Sequence, residues 1–355
     1  MMTKVDTTYI IEQLVRLATS PSPVGYTDEL LASISAEFAR WGLKTRHLTK
    51  GGLIATLEGK NNAEQRTLSG HVDTLGAMVK EIKGSGRLKF AKIGGYTMNS
   101  VEGEHCTIIT SSEQKYTGTI LTTKQSTHVY GQESGKQDRD DDTMEIRLDE
   151  VVKSKEDVLR LGIGVGDFVV FDPRTTVTPS GFIKSRHLDD KASVAVLLGV
   201  AKYFHEEGLR LPHTTNFFIT SYEEIGHGAS FGTPTETVEF LAVDMGCIGN
   251  GLSCTEFDVS ICVKDSGGPY DLALRKKLVT LAEAEELPYA LDVYPYYGSD
   301  AGAALRAGAN VRAALIGPGV DASHAHERTH TQALEATAKL CIAYLLSPVE
   351  TKSEK

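Results

Sequence analysis

Two neighbouring glutamates, Glu223 and Glu224, stand in "ITSYEEIGHG" between an apolar run and a pair of glycines. Adjacent like charges repel, so a surface strand has no use for the pair. At a strand end two carboxylates can divide work, one holding a metal ion and one moving a proton. Four other stretches carry residues of the same kind. In "GHVDTLG" His71 and Asp73 are two apart and would face the same way on a strand, so Asp73 could hold the second ring nitrogen of a metal-ligating His71. In "SRHLDDKAS" Asp189 and Asp190 precede a helical run, where Asp190 suits an N-cap and Asp189 could present both oxygens to two cations. "LAVDMG" ends an apolar strand on Asp244, an acid whose burial is costly unless it is paired or metal-bound. "GVDASHAHERTH" clusters His324, His326 and His330, and spacing alone leaves open which of them would bind a metal. Two histidines, three carboxylates and a spare glutamate suit a pair of divalent ions such as Zn²⁺, Co²⁺ or Mn²⁺. Two such ions about 3.5–4 Å apart can activate a bridging water and clamp a tetrahedral intermediate.

Elements that could position these residues follow from hydrophobic period. Tyr9 to Leu17 and Asp28 to Trp41 have helical spacing, and "ASVAVLLGVAKYFHEEG" reads as a buried helix. "GGLIATLEG", "QRTLSGHVDTLG", "TTNFFITSY" and "EFLAVDMG" read as strands. Strands alternating with long helices predict an α/β fold with its central sheet covered on both faces. The stretch 77–180 differs, with short candidate strands such as "CTIITSS", "YTGTILTT" and "DFVVFD" and few helical patterns, so a β-rich insert is expected there. Within it, the charge run "GKQDRDDDTMEIRLDE" is expected to be a solvated loop. Asp300 in "YGSDAGAALRAG" suits either a helix cap or a place in the substrate site, and the tail "ETKSEK" reads as disordered.

At 355 residues the chain can bury a large core, and its net charge of -10 argues against a nucleic-acid or anionic-membrane partner. Five cysteines without a C-x-x-C pair suggest free thiols in a reducing compartment. The first residues lack the unbroken apolar core of a signal peptide, and no apolar run approaches the roughly 20 residues a membrane span needs. A cytoplasmic location is expected. His105, His128, His205 and His213 have no chemical context and are expected to be structural or exposed.

Taken in order, "GHVDTLGAMVKEI", "VGDFVVFD", "HLDDKASVAVLL", "EEIGHGAS", "VDMG", "YGSDAGAALRAGANV" and "IGPGVDASHAHE" resemble the M42 family of metallo-aminopeptidases over nearly the whole chain. The resemblance implies a di-zinc-peptidase-like catalytic domain, 1–76 and 181–355, interrupted by a barrel-like assembly domain, 77–180. It implies that His71 and Asp244 hold one ion, that Glu224 and His324 hold the other, and that Asp189 bridges them. Asp73 would orient His71, and Glu223 would be the general base. His324 is singled out because it stands three residues before Glu327, in the family's H-x-x-E pattern. Implied partners are peptides with a free N-terminus and further copies of the chain, in dimers that build a dodecamer. Thr74 stands where the family frequently has a Glu, which puts a different group beside the site, and Lys191 stands where an Arg is frequent, a change that matters only where that residue makes a bidentate contact. The residues alone also admit a di-metal deacylase or carboxypeptidase, or a catalytically silent assembly protein of the same fold.

Overall fold

A computed structural model describes residues 4–349, and the "ETKSEK" tail lies outside them. A ten-stranded mixed sheet forms the centre. Its four middle strands, in spatial order His213–Thr220, Asn61–His71, Thr237–Val243 and Arg312–Val320, are mutually parallel. Antiparallel strands flank them, Leu53–Leu57 on one side and Val259–Asp265 on the other. Strand residues alternate between two cores because successive side chains face opposite ways. Phe217, Ile219, Leu241, Val243, Ala314 and Ile316 enter the larger core, while Phe218, Phe240, Ala242, Ala313 and Leu315 enter the smaller one.

Helix Leu188–Glu207 is buried without a break from Leu188 through Ala201, as expected of a helix apolar on every side. It lies on the larger core with Thr7–Thr19 and Thr331–Leu346 packed beside it. The short helix Asp300–Arg306 covers the opposite face through Ala301 and Ala304.

Six strands, Gly76–Ile82, Leu88–Ile93, His105–Ile109, Lys115–Thr122, Met144–Leu148 and Phe168–Phe171, close into a barrel around its own apolar core. The charge run expected to be a loop supplies one of these strands. In "MEIRL" Met144, Ile146 and Leu148 point into the barrel while Glu145 and Arg147 alternate outward. The acidic residues in front of this segment hid a period of two.

Candidate active site

All four parallel strands end at the same edge, and the chemically equipped residues follow directly from those ends. His71 closes one strand, and Asp244 comes one residue after another. Glu223 and Glu224 lie three and four residues past Thr220, and His324 lies four residues past Val320. Parallel α/β sheets place their ligand crevices outside the carboxyl ends of their strands for this reason. Asp189 comes from the start of the buried helix, through a cis peptide bond to Asp190.

Asp189 joins the two imidazoles. Its Oδ1 is 3.0 Å from His71 Nε2, and its Oδ2 is 3.3 Å from His324 Nε2. Glu224 stands 3.4 Å from the same His324 nitrogen, and Glu223 stands 3.8 Å from His71 Nε2. Ligand atoms of His71, Asp189 and Glu224 lie within 4.8 Å of one another, as do those of His71, Glu223 and Asp244. The seven residues expected from sequence are thus brought together. His326 and His330 stand apart; His330 instead caps helix Thr331–Leu346 by accepting from the Gln332 amide.

Asp73 holds the glutamate pair as well as the histidine. Its two carboxylate oxygens accept the amides of Glu223 and Glu224, each at 3.2 Å. The Nδ1 of His71 is 2.9 Å from the carbonyl of Asp73 and 3.8 Å from its carboxylate, so residue 73 orients the ring through its backbone. A left-handed Tyr222, φ 66, turns the chain so that the two glutamates follow each other into the cleft. Gly317 provides room on the other side, since a Cβ there would lie 1.8 Å from the carbonyl oxygen of Asp244.

Three expectations need correction. Asp190 makes no capping bond to its helix: Asp189 and Asp190 have non-helical dihedral angles ahead of the regular turns, and the buried Asp190 carboxylate instead accepts the amide of His71 at 3.1 Å. Asp300 is neither cap nor cleft wall. Ser299 caps that helix, and the Asp300 carboxylate is buried against Thr220 and Ala229. Thr74 is buried against Ser22 and Val24 and lies outside the cleft that holds the cluster, as does Lys191, which bonds the Ser20 carbonyl at 2.6 Å. Residues of the site that the sequence did not assign include Glu327 as an anchor, whose carboxylate accepts the amides of His324 and Asp189, each at 3.1 Å. The Gly95 carbonyl, on a loop leaving the barrel, receives His324 Nδ1. The H-x-x-E spacing pointed to Glu327; a backbone carbonyl leaves no signal in sequence.

The cleft has a volume of about 380 Å³, with Tyr296, Tyr297, Met245 and Arg306 among its walls. Burial pushes Glu223 well above the usual carboxylate range, against the pull of His71 and with the push of Asp244. Burial does the same to Glu224, helped by the charge of Asp189. Asp244 is pushed up to about 7 by burial and by Asp189. Burial opposes a charged ring at His71 and His324, yet bonds to Asp189 carry His71 well above its ordinary value and His324 to about 10. Asp189 itself is held low despite burial by its bonds to His324 and His71.

Five buried or half-buried carboxylates, Asp73, Asp189, Glu223, Glu224 and Asp244, therefore face two imidazoles. Among the described residues no Lys or Arg forms an ion pair with any of them; the ion-pair partners of Asp73, Asp189, Glu223 and Glu224 are His71 and His324. Negative charge buried in such excess is stable only when cations or protons neutralise it. Nitrogen and carboxylate donors of this kind suit borderline divalent ions, so the residues present fit a metal centre.

The M42 glutamyl aminopeptidase profile matches residues 51–340. The chain is 55% identical over 339 residues to "Putative aminopeptidase YhfE" of Bacillus subtilis (strain 168), across 96% of this chain and 98% of that one. Its fold is that of aminopeptidase APDkam598 from the archaeon Desulfurococcus kamchatkensis, with a TM-score of 0.86 and 22% identity over 96% of this chain and 95% of that one. A TET1 peptidase from Pyrococcus horikoshii, which can assemble into a tetrahedron or a large octahedral shell, aligns with a TM-score of 0.82 and 23% identity, over 96% and 100% of the two chains. Because the matched span takes in every side chain of the strand-end cluster, the chain belongs to the M42 glutamyl aminopeptidase family.

Proposed function

We propose that this protein is a metal-dependent aminopeptidase that removes N-terminal residues from peptides, with Glu223 as general base. His71 and Asp244 would hold one divalent ion, Glu224 and His324 would hold a second, and Asp189 would serve both; Zn²⁺ or Co²⁺ suits these donors best, and Mn²⁺ also suits them. The observation that carries this reading is Asp189, which offers one oxygen toward each imidazole. When bound, such ions supply Lewis acidity and a water of lowered pKa.

The chain's own residues do the rest. The substrate's free α-amine binds beside Glu224, next to His324. Glu223 takes a proton from the attacking water and delivers it to the leaving amine. A general base of this kind contributes roughly 10²- to 10⁴-fold. Asp73 fixes both glutamates through their amides, so the base and its neighbour keep their separation during the proton transfers.

In this reading residues 1–76 and 181–355 form the catalytic unit, and 77–180 an insert used for dimerisation and assembly, up to a dodecamer. A barrel core separate from the two sheet cores supports the division. A cytoplasmic setting agrees with five unpaired cysteines; separately, no described helix is long and apolar enough to cross a membrane. The deciding assay is a panel of aminoacyl-anilides and short peptides, free and N-blocked, with Zn²⁺, Co²⁺ and Mn²⁺. Cleavage of free N-termini is expected. Turnover of blocked substrates alone would replace this reading with a deacylase or carboxypeptidase.

A further inference from the structure

Asp73 secures only the start of the segment that carries Glu223. Beyond it the chain folds into a tight series of turns, in which Gly226 bonds back to Glu223 and both His227 and Gly228 bond back to Tyr222. Two side chains from distant parts of the sequence grip the far end of this loop. Asp300, 3% exposed, accepts the Ala229 amide at 2.8 Å on one oxygen and the Thr220 hydroxyl at 2.7 Å on the other. Lys50 donates to the carbonyls of His227, at 3.1 Å, and Gly228. The donor from residue 50 and the acceptor at residue 300 thus hold the carbonyl and the amide of the same Gly228–Ala229 peptide group, and Lys50 also holds the carbonyl before it.

Gly228 makes the grip possible. A Cβ at that position would lie 1.9 Å from Asp300 Oδ1 and 3.3 Å from Glu223 Cγ, so the same glycine touches the clamp and the proposed base. Neither Asp300 nor Lys50 belongs to the donor set that would hold an ion. We infer that Asp300 and Lys50 are positioning residues, which fix the Glu223 carboxylate from behind by pinning the loop that follows it. This inference rests on Glu223 being the base.

The test compares kcat, KM and bound metal for Asp300→Ala, Asp300→Asn, Lys50→Met, Gly228→Ala and the Gly228→Ala/Asp300→Ala pair, with Glu223→Gln alongside. A misplacement of about 1 Å can cost on the order of 10²-fold, so Asp300→Ala and Lys50→Met are expected to lower kcat about 10- to 100-fold, with KM and metal content close to the parent. Asp300→Asn, which keeps an acceptor for Ala229 and can donate to Thr220, is expected to recover most of the loss. Gly228→Ala displaces the same carboxylate, so its effect and that of Asp300→Ala should not add. Parental kcat in folded Asp300→Ala, a loss explained wholly by missing metal, or full additivity in the pair would overturn the inference. An inactive Glu223→Gln beside a fully active Asp300→Ala rejects the positioning role alone, whereas an active Glu223→Gln rejects the base assignment and the inference with it.

Discussion

Asp189 is the residue on which the cluster turns, and its carboxylate is useful only while both oxygens stay aimed. Glu327 does the aiming, since its two oxygens hold the amides of Asp189 and His324. Loss of an outer partner of this kind typically costs 10–100-fold in metal affinity or activity. Glu327→Gln should therefore weaken metal binding by about that factor, as read by titration with a competing chelator, while far-UV circular dichroism stays unchanged. The protonation of the cluster gives a second prediction. Asp244 at about 7 and His324 at about 10 hold protons in the metal-free protein near neutrality, and each must give its proton up to act as a ligand. Both values are raised, so protons compete best at low pH, and apparent metal affinity should climb as pH rises from 6 through 8. Calorimetric titrations in buffers of different ionisation heat should show net proton release on metal binding; affinity independent of pH would contradict these assignments. Glu223 and Glu224 were legible from sequence because two adjacent acids at a strand end have few structural uses. Asp300 was misread because an acid before a helix fits a cap equally well, and only tertiary contacts distinguish the two.

At the scale of elements, four parallel strands explain why residues as far apart as His71 and His324 meet. Three of these strands came through in sequence as apolar runs closed by His, Asp or Glu, whereas Arg312–Val320 was not singled out as a strand. What stayed hidden was the crowding at the strand ends. Asp244 is pressed against Arg312–Val320 so closely that residue 317 must lack a side chain. Gly317→Ala should destabilise the protein by about 1–3 kcal/mol or more through overpacking, and should displace Asp244 with it. Urea unfolding would show the drop in midpoint, and metal content would fall in parallel; an unchanged midpoint would mean that the strand end is slacker than its contacts imply. The barrel strand at Met144–Leu148 carries a similar lesson. Its alternation was present in "MEIRL", but the charges in front of it dominated any reading by composition.

Across the whole molecule, the barrel and the sheet have separate cores yet meet at the site, where the Gly95 carbonyl receives His324 Nδ1. An insert expected from its residue types alone therefore also helps orient the His324 ring, a connection that no local pattern could have announced. The same cluster ties stability to metal. Buried carboxylates repel one another until cations neutralise them, so ions that bind only the folded state stabilise it, by about 2.7 kcal/mol when free metal is 100 times the dissociation constant. Chelated protein should melt several degrees lower than loaded protein, and Zn²⁺ or Co²⁺ should restore the difference in a concentration-dependent way. A melting temperature indifferent to chelation and reloading would argue that protons alone satisfy the cluster.

The proposed mechanism divides labour between two adjacent acids, of which Glu224 would bind a cation and Glu223 would stay free to carry a proton. The most direct measurement is metal content and peptide hydrolysis on the same preparation of Glu223→Gln. Two ions per subunit are expected, as in the parent, with turnover reduced roughly 10²- to 10⁴-fold. A fully loaded Gln variant that still hydrolyses peptides at the parental rate would contradict that mechanism.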